Sequence, residues 1–142
     1  MESTDSNIFR LIVCGKTGAG KSTVLNHLAL GMHDEGQKLF REGDDYKSIT
    51  SEIRSQTRHF KNDPNNFKVE FVDTPGFFDT EKRDTDHLIM LCKFLKSIPD
   101  GFNIILFCFP AGEIRLDESL QQSMKLLGTV MGKAVYDNIF IV

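Results

Sequence analysis

The segment 15–22, GKTGAGKS, satisfies the pattern Gly-x-x-x-x-Gly-Lys-Ser/Thr and constrains this chain more than any other stretch of it. Residues 8–14 (IFRLIVC) precede it; their β-branched and aromatic types, ending at Gly15, read as a strand buried on both faces. Behind it, Val24, Leu25 and Leu28 recur at helical spacing until Gly31, a plausible stop. A glycine-rich turn between strand and helix is an anion cradle. Gly15, Gly18 and Gly20 let the backbone curl around a phosphate so that successive N–H groups point inward, and the helix N-terminus adds favourable charge. In such a loop Lys21 reaches β- and γ-phosphate oxygens, and the Ser22 hydroxyl ligates Mg²⁺.

Composition does not oppose this. The formal net charge is −3, but bulk charge is screened beyond about 8 Å at physiological ionic strength, whereas loop amides act at contact distance. The same balance supplies no basic field for nucleic acid or anionic lipid, so neither partner is expected. Cys14, Cys92 and Cys108 are odd in number and far apart, which argues against a zinc knuckle or a disulfide framework and for reduced core residues. The longest apolar run, 104–109, falls far short of the roughly 18 residues that span a bilayer. Residues 1–7 form a polar, acidic tail with neither the basic start nor the apolar centre of an export signal, so a cytoplasmic location is expected.

Beyond the first helix, 31–50 is polar and without sustained period, as expected of a long, mobile connection, and Asp44 and Asp45 read as a solvated patch. Residues 51–61 alternate weakly, with Ile53, Ser55, Thr57 and His59 on the inward side, and suit a sheet-edge strand. The turn signal Asn62-Asp63-Pro64-Asn65-Asn66 joins it to a cleanly alternating strand over 67–72 (FKVEFV), which predicts an antiparallel hairpin. Leu88, Leu91, Cys92, Leu95 and Ile98 mark a helical face after Asp84-Thr85, closed by Pro99-Asp100-Gly101. A buried strand over 102–109 follows. A third stripe, Leu116, Leu120, Met124, Leu127 and Met131, has Asp117 suited to cap its start and Gly132 its end. Residues 138–142 begin a further strand. Strands separated by helices, save for one hairpin, predict a three-layer α/β fold of the P-loop nucleotide-triphosphatase class: a mostly parallel sheet with one antiparallel edge strand.

Residues 69–76, VEFVDTPG, place an acid at the end of an apolar strand and a glycine in the turn beyond it. Asp73 then holds the Mg²⁺ shell from the strand beside the phosphate loop, and the Gly76 amide senses the γ-phosphate. A hydroxyl from the long connection completes the metal site; Thr50 is the candidate, with Ser48 and Thr57 as competitors. The metal set is thus Ser22, Thr50 and Asp73. Where many hydrolytic switches carry a water-orienting glutamine, this chain has Phe77, followed by Phe78, and no catalytic residue is assigned. Phenylalanine cannot position water, which predicts slow unassisted turnover.

GKTGAGKS, the hairpin before DTPGFFD, and PDGFNIILFCF together resemble the GIMAP (immunity-associated, AIG-type) GTPases, relatives of septins and of chloroplast import GTPases. The likeness covers nearly the whole chain. It implies binding of GTP or GDP with Mg²⁺, Phe77 at the position of the catalytic glutamine, and association of G domains into homodimers or oligomers through the loops around the phosphates. It supports Gly15, Lys16, Thr17, Gly18, Ala19, Gly20, Lys21, Ser22 and Thr23, together with Thr50, Asp73 and Gly76, as nucleotide-binding residues. Two departures stand out. The Gly-Arg-Thr/Ser-acid box of the family is replaced by Gly112 followed by Glu113-Ile114-Arg115-Leu116-Asp117. The sequence also stops at Val142, ahead of the guanine-reading Asn/Thr-Lys-x-Asp. On this reading 8–142 is an incomplete AIG-type G domain lacking its last strand and helix, and membrane anchors known beyond the G domain in some relatives are not encoded in this segment.

Two rivals remain. A partitioning-type ATPase carries a lysine where Lys16 stands, but its strand next to the acid is usually a parallel neighbour rather than a hairpin partner. A non-hydrolysing scaffold that binds nucleotide only to assemble has Phe77 in its favour.

Overall fold

Period-2 alternation in the strands decides which side chains meet which layer. The computed structural model describes residues 8–15, 18–29, 53–59, 62–65, 67–74, 81–98, 101–109 and 118–142. In chain order the elements are β1 (Ile8–Gly15), α1 (Lys21–Ala29), β2 (Arg54–His59), β3 (Lys68–Asp73), α2 (Glu81–Ser97), β4 (Ile104–Cys108), α3 (Glu118–Met131), a 3₁₀ turn (Lys133–Asn138) and β5 (Ile139–Ile141). They build one five-stranded sheet ordered β2-β3-β1-β4-β5. β1 runs parallel to β3 and β4, β4 runs parallel to β5, and β2 pairs antiparallel with β3. The predicted α/β class, the mostly parallel sheet and the antiparallel edge strand are all present.

Alternation splits the core in two. Ile12, Cys14, Val72, Ile105 and Phe107 face α2 and α3, where Leu88, Leu91, Leu95 and Leu127 close over them. Val13, Val69, Phe71 and Cys108 face the other way, against Leu25 of α1. Burying a leucine or phenylalanine side chain contributes about 1.5–3 kcal/mol, so these two clusters supply most of what holds the layers together. All three cysteines are buried free thiols, as expected. Arg10 Nε meets Glu70 Oε2 at 2.6 Å across the β1–β3 pair, at the end of the sheet away from the phosphate loop. Among the described residues no helix is long and apolar enough to cross a membrane.

Several expectations need correction. Of the apolar positions at helical spacing in α1, Leu25 is buried, together with the polar Asn26, whereas Leu28 is 45% exposed. The supposed inward residues Ser55, Thr57 and His59 are all exposed, so β2 is held by its ladder with β3 rather than by a buried face. β4 is shorter than the predicted 102–109, and α2 begins at Glu81, ahead of Asp84. The 3₁₀ turn was not anticipated. Gly132 ends α3 with φ 87°, as expected, whereas Leu116 and Asp117 lie outside the described residues.

Candidate functional site

The two connections that leave adjacent strands go to opposite faces: α1 follows β1 onto one face and α2 follows β3 onto the other. That divergence opens a crevice at the carboxyl ends of β1 and β3, where ligands of open α/β sheets bind. The parallel register sets Val13 opposite Asp73, so the acid emerges beside the strand that runs into the glycine loop.

Gly15 is required there. A Cβ at this position would collide with the Cys108 carbonyl oxygen on neighbouring β4. Gly18 and Gly20 have φ of 78° and 82° with open space around them, so there it is backbone conformation that selects glycine. The Val24 N–H bonds the Gly20 carbonyl at 2.8 Å and closes the first turn of α1. The opening N–H groups of a helix have no partner within it, and here they belong to the residues after Gly20. Lys21 folds back along the loop, its Nζ donating to the Gly15 carbonyl at 3.1 Å.

Ser22 and Asp73 meet across the crevice. Ser22 Oγ donates to Asp73 Oδ2 at 3.2 Å. Asp73 is only 2% exposed, and its Oδ1 is buried with no hydrogen-bond partner among the described residues. Burial pushes the Asp73 carboxyl above its ordinary range, against the Lys21 ammonium, the Ser22 hydroxyl, the Thr74 amide and the Arg54 guanidinium, which hold it down. A buried oxygen without a donor is costly unless something positive answers it. One carboxylate and one hydroxyl, both hard oxygen donors, suit Mg²⁺, which keeps most of its waters and takes its remaining ligands from phosphate. Consistently, no group of three or more His, Cys, Asp or Glu able to hold a metal alone occurs among the described residues. Ser22 and Asp73 therefore fit a phosphate-bound Mg²⁺ and not a self-sufficient metal cage.

Of the predicted site residues, Gly15, Gly18, Ala19, Gly20, Lys21, Ser22, Thr23 and Asp73 are described, and all lie at this end of the sheet. Lys16, Thr17, Thr50, Gly76 and Phe77 lie outside the described residues, as does Ser48. Thr57 is described and is not brought to the metal pair: it pairs with Glu70, while Arg54 is the residue opposite Asp73. Arg54 and Thr74 are neighbours of Asp73 that sequence reasoning missed. The alternation of β2 gave Arg54 no signal, but Thr74 sits inside the quoted DTPG string.

The AIG1 family sequence model matches residues 9–142. Translocase of chloroplast 90, chloroplastic, from Arabidopsis thaliana is 25% identical over 137 residues, which is 94% of this chain and 16% of that protein. Toc33 from Arabidopsis thaliana, solved in complex with GDP and Mg²⁺, superposes with a TM-score of 0.72 at 21% identity, over 96% of this chain and 50% of that one. The structure for the chloroplast translocon components atToc33 and psToc159, whose dimerization is important for GTPase activity, gives 0.73 at 20% over the same shares. At such identities the structural likeness is one of fold. The chain spans about half the length of these solved relatives and a smaller part of the translocase.

Proposed function

The chain belongs to the AIG1 family, and on that premise we propose that it binds GTP and GDP with Mg²⁺ and acts as a guanine-nucleotide switch with slow unassisted hydrolysis, associating with further copies of its G domain when loaded. The observation that carries this reading is the Ser22–Asp73 pair, with an Asp73 Oδ1 that no described residue bonds, set beside a glycine loop that Lys21 spans. Two solved relatives support it: Toc33 in complex with GDP and Mg²⁺, and the atToc33 and psToc159 components, for whose GTPase activity dimerization is important.

In this reading the loop amides and Lys21 hold the β- and γ-phosphates, with the ammonium exchanging its Gly15 carbonyl for phosphate oxygens. Ser22 and Asp73, with Thr50, hold the metal. When bound, Mg²⁺ would supply positive charge to offset the negative charge that develops on the phosphates during transfer. Gly76 reports the γ-phosphate. Phe77 supplies no polar atom to orient water, so a rate limited by water positioning is expected, and help from a second copy is the natural remedy. A cytoplasmic location belongs to the same reading, and the chloroplastic relative makes cell fractionation its test.

Competition of labelled GTP by GTP, GDP and ATP with Mg²⁺ tests the proposal. Displacement by both guanine nucleotides and not by ATP is expected; equal displacement by ATP sinks the guanine assignment. Phe77 also favours a second reading, a non-hydrolysing assembly scaffold. Single-turnover hydrolysis at rising protein concentration separates the two: a rate that climbs supports the switch, and no phosphate release at any concentration supports the scaffold. The antiparallel β2–β3 pair weighs against a partitioning-type ATPase.

A further inference from the structure

Among the described residues Thr74 is the most deeply buried polar one, 0% exposed, and the nucleotide reading gives it no task. Its Oγ1 donates to the Val13 carbonyl at 2.7 Å. The Cys14 thiol lies within its hydrogen-bonding reach. The β1–β3 ladder ends at the pair Val13 and Asp73, and Thr74 stands one residue past it. The next residue, Pro75, has no N–H with which to carry the ladder on. A side-chain hydroxyl thus ties the strand that presents Asp73 to the strand that becomes the glycine loop, one residue past the ladder.

From this geometry we infer that Thr74 is a positioning residue for the metal carboxylate: its bond to Val13 holds Asp73 in the orientation that keeps Oδ1 off protein donors and available to Mg²⁺. The inference rests on the magnesium-nucleotide reading above. Among the described residues Lys21 and Arg54 are the cations acting on Asp73, and a carboxylate released from its seat turns toward them instead of toward the metal. Partners that orient a metal ligand without touching the metal typically account for 10- to 100-fold in metal affinity.

Thr74→Val keeps the side-chain shape and removes the hydroxyl, whereas Thr74→Ser keeps the hydroxyl. The readout is GDP affinity by calorimetry as Mg²⁺ is raised from excess chelator to millimolar, with denaturation midpoints alongside. Wild type and Thr74→Ser should share one Mg²⁺ half-saturation point. Thr74→Val should need about tenfold more Mg²⁺ while its metal-free GDP affinity stays unchanged. Equal weakening with and without Mg²⁺, or no change in Mg²⁺ demand, overturns the inference. If Thr74→Val does not fold, Thr74→Ala takes its place under the same criteria, and a raised Mg²⁺ demand in Thr74→Ser also overturns it. Wild type that binds no GDP at any Mg²⁺ level brings down the nucleotide reading and this inference with it. Wild type that binds normally beside an unaltered Thr74→Val removes the inference alone.

Discussion

Ser22 Oγ donates to Asp73 Oδ2 at 3.2 Å, joining residues 51 positions apart at the mouth of the crevice. If the two share one metal, their contributions are not independent. Ser22→Ala and Asp73→Asn should each raise the Mg²⁺ needed for GTP retention, and the double variant should be little worse than Asp73→Asn. A coupling of about 0.5–3 kcal/mol is the range for contacting residues. Strict additivity in a titration of Mg²⁺ against bound nucleotide would separate the two side chains.

Lys21→Ala removes the ammonium that reaches back to Gly15. Hydrogen bonds to charged groups contribute about 1.5–3 kcal/mol, so GTP affinity should fall roughly 10- to 150-fold. Because the ammonium also holds the Asp73 carboxyl down, Mg²⁺ dependence should shift too. Unchanged affinity in equilibrium binding would refute the loop assignment.

Gly15→Ala and Gly18→Ala should differ in kind. At Gly15 the new methyl group meets the backbone of Cys108, which cannot swing away, so both strands must part. Overpacking of this sort costs about 1–3 kcal/mol, added to the cost of the positive φ. Gly18 has open space and bears only the conformational cost of about 1–2 kcal/mol. Urea midpoints should rank Gly15→Ala well below Gly18→Ala; the reverse order would contradict the close approach of β1 and β4.

Burial pushes the Cys14 thiol from 9.0 up to about 12. Below pH 9.0 the thiol is neutral whether the chain is folded or unfolded, and its contribution to stability is fully present. Above that value the unfolded thiol ionises while the folded one does not, so stability falls progressively until pH reaches the folded value. One such proton amounts to about 2 kcal/mol lost by roughly pH 10.5. Cys92 and Cys108 are also raised by burial and act in the same direction. Cys14→Ala should therefore show a shallower decline of unfolding free energy between about pH 8 and pH 10.5 than wild type. An identical decline would place the ionisation elsewhere.

What could be read from the sequence follows from which interactions are local. The glycine loop, the strand before it and the helix after it carry their own signals within residues 8–29, and all three are where periodicity put them. The hairpin was legible because a dense turn signal joins two alternating runs. Neighbour relations across the sheet were not: the register that sets Arg54 against Asp73, or Thr74 against Val13, depends on how distant strands align. Gly128 shows the same limit. Glycine inside a helix costs about 1 kcal/mol relative to alanine and looks like a flaw in α3. The Tyr136 hydroxyl, returning from the 3₁₀ turn to the Met124 carbonyl at 2.8 Å, occupies the space a side chain there would need.

The turn between β2 and β3 is held by a single side chain, Asp63. Both carboxylate oxygens of Asp63 are engaged inside the turn, by the amides of Asn65 at 3.0 Å and Phe67 at 2.8 Å. Closing this short loop costs little entropy, whereas joining β1 to β3 or β4 must first enclose a long stretch of chain. The hairpin is accordingly expected to form before β1 docks on it, which would place Asp73 ahead of the glycine loop. Asp63→Ala should then slow refolding more than it speeds unfolding in a stopped-flow chevron; the opposite partition would make the hairpin a late event.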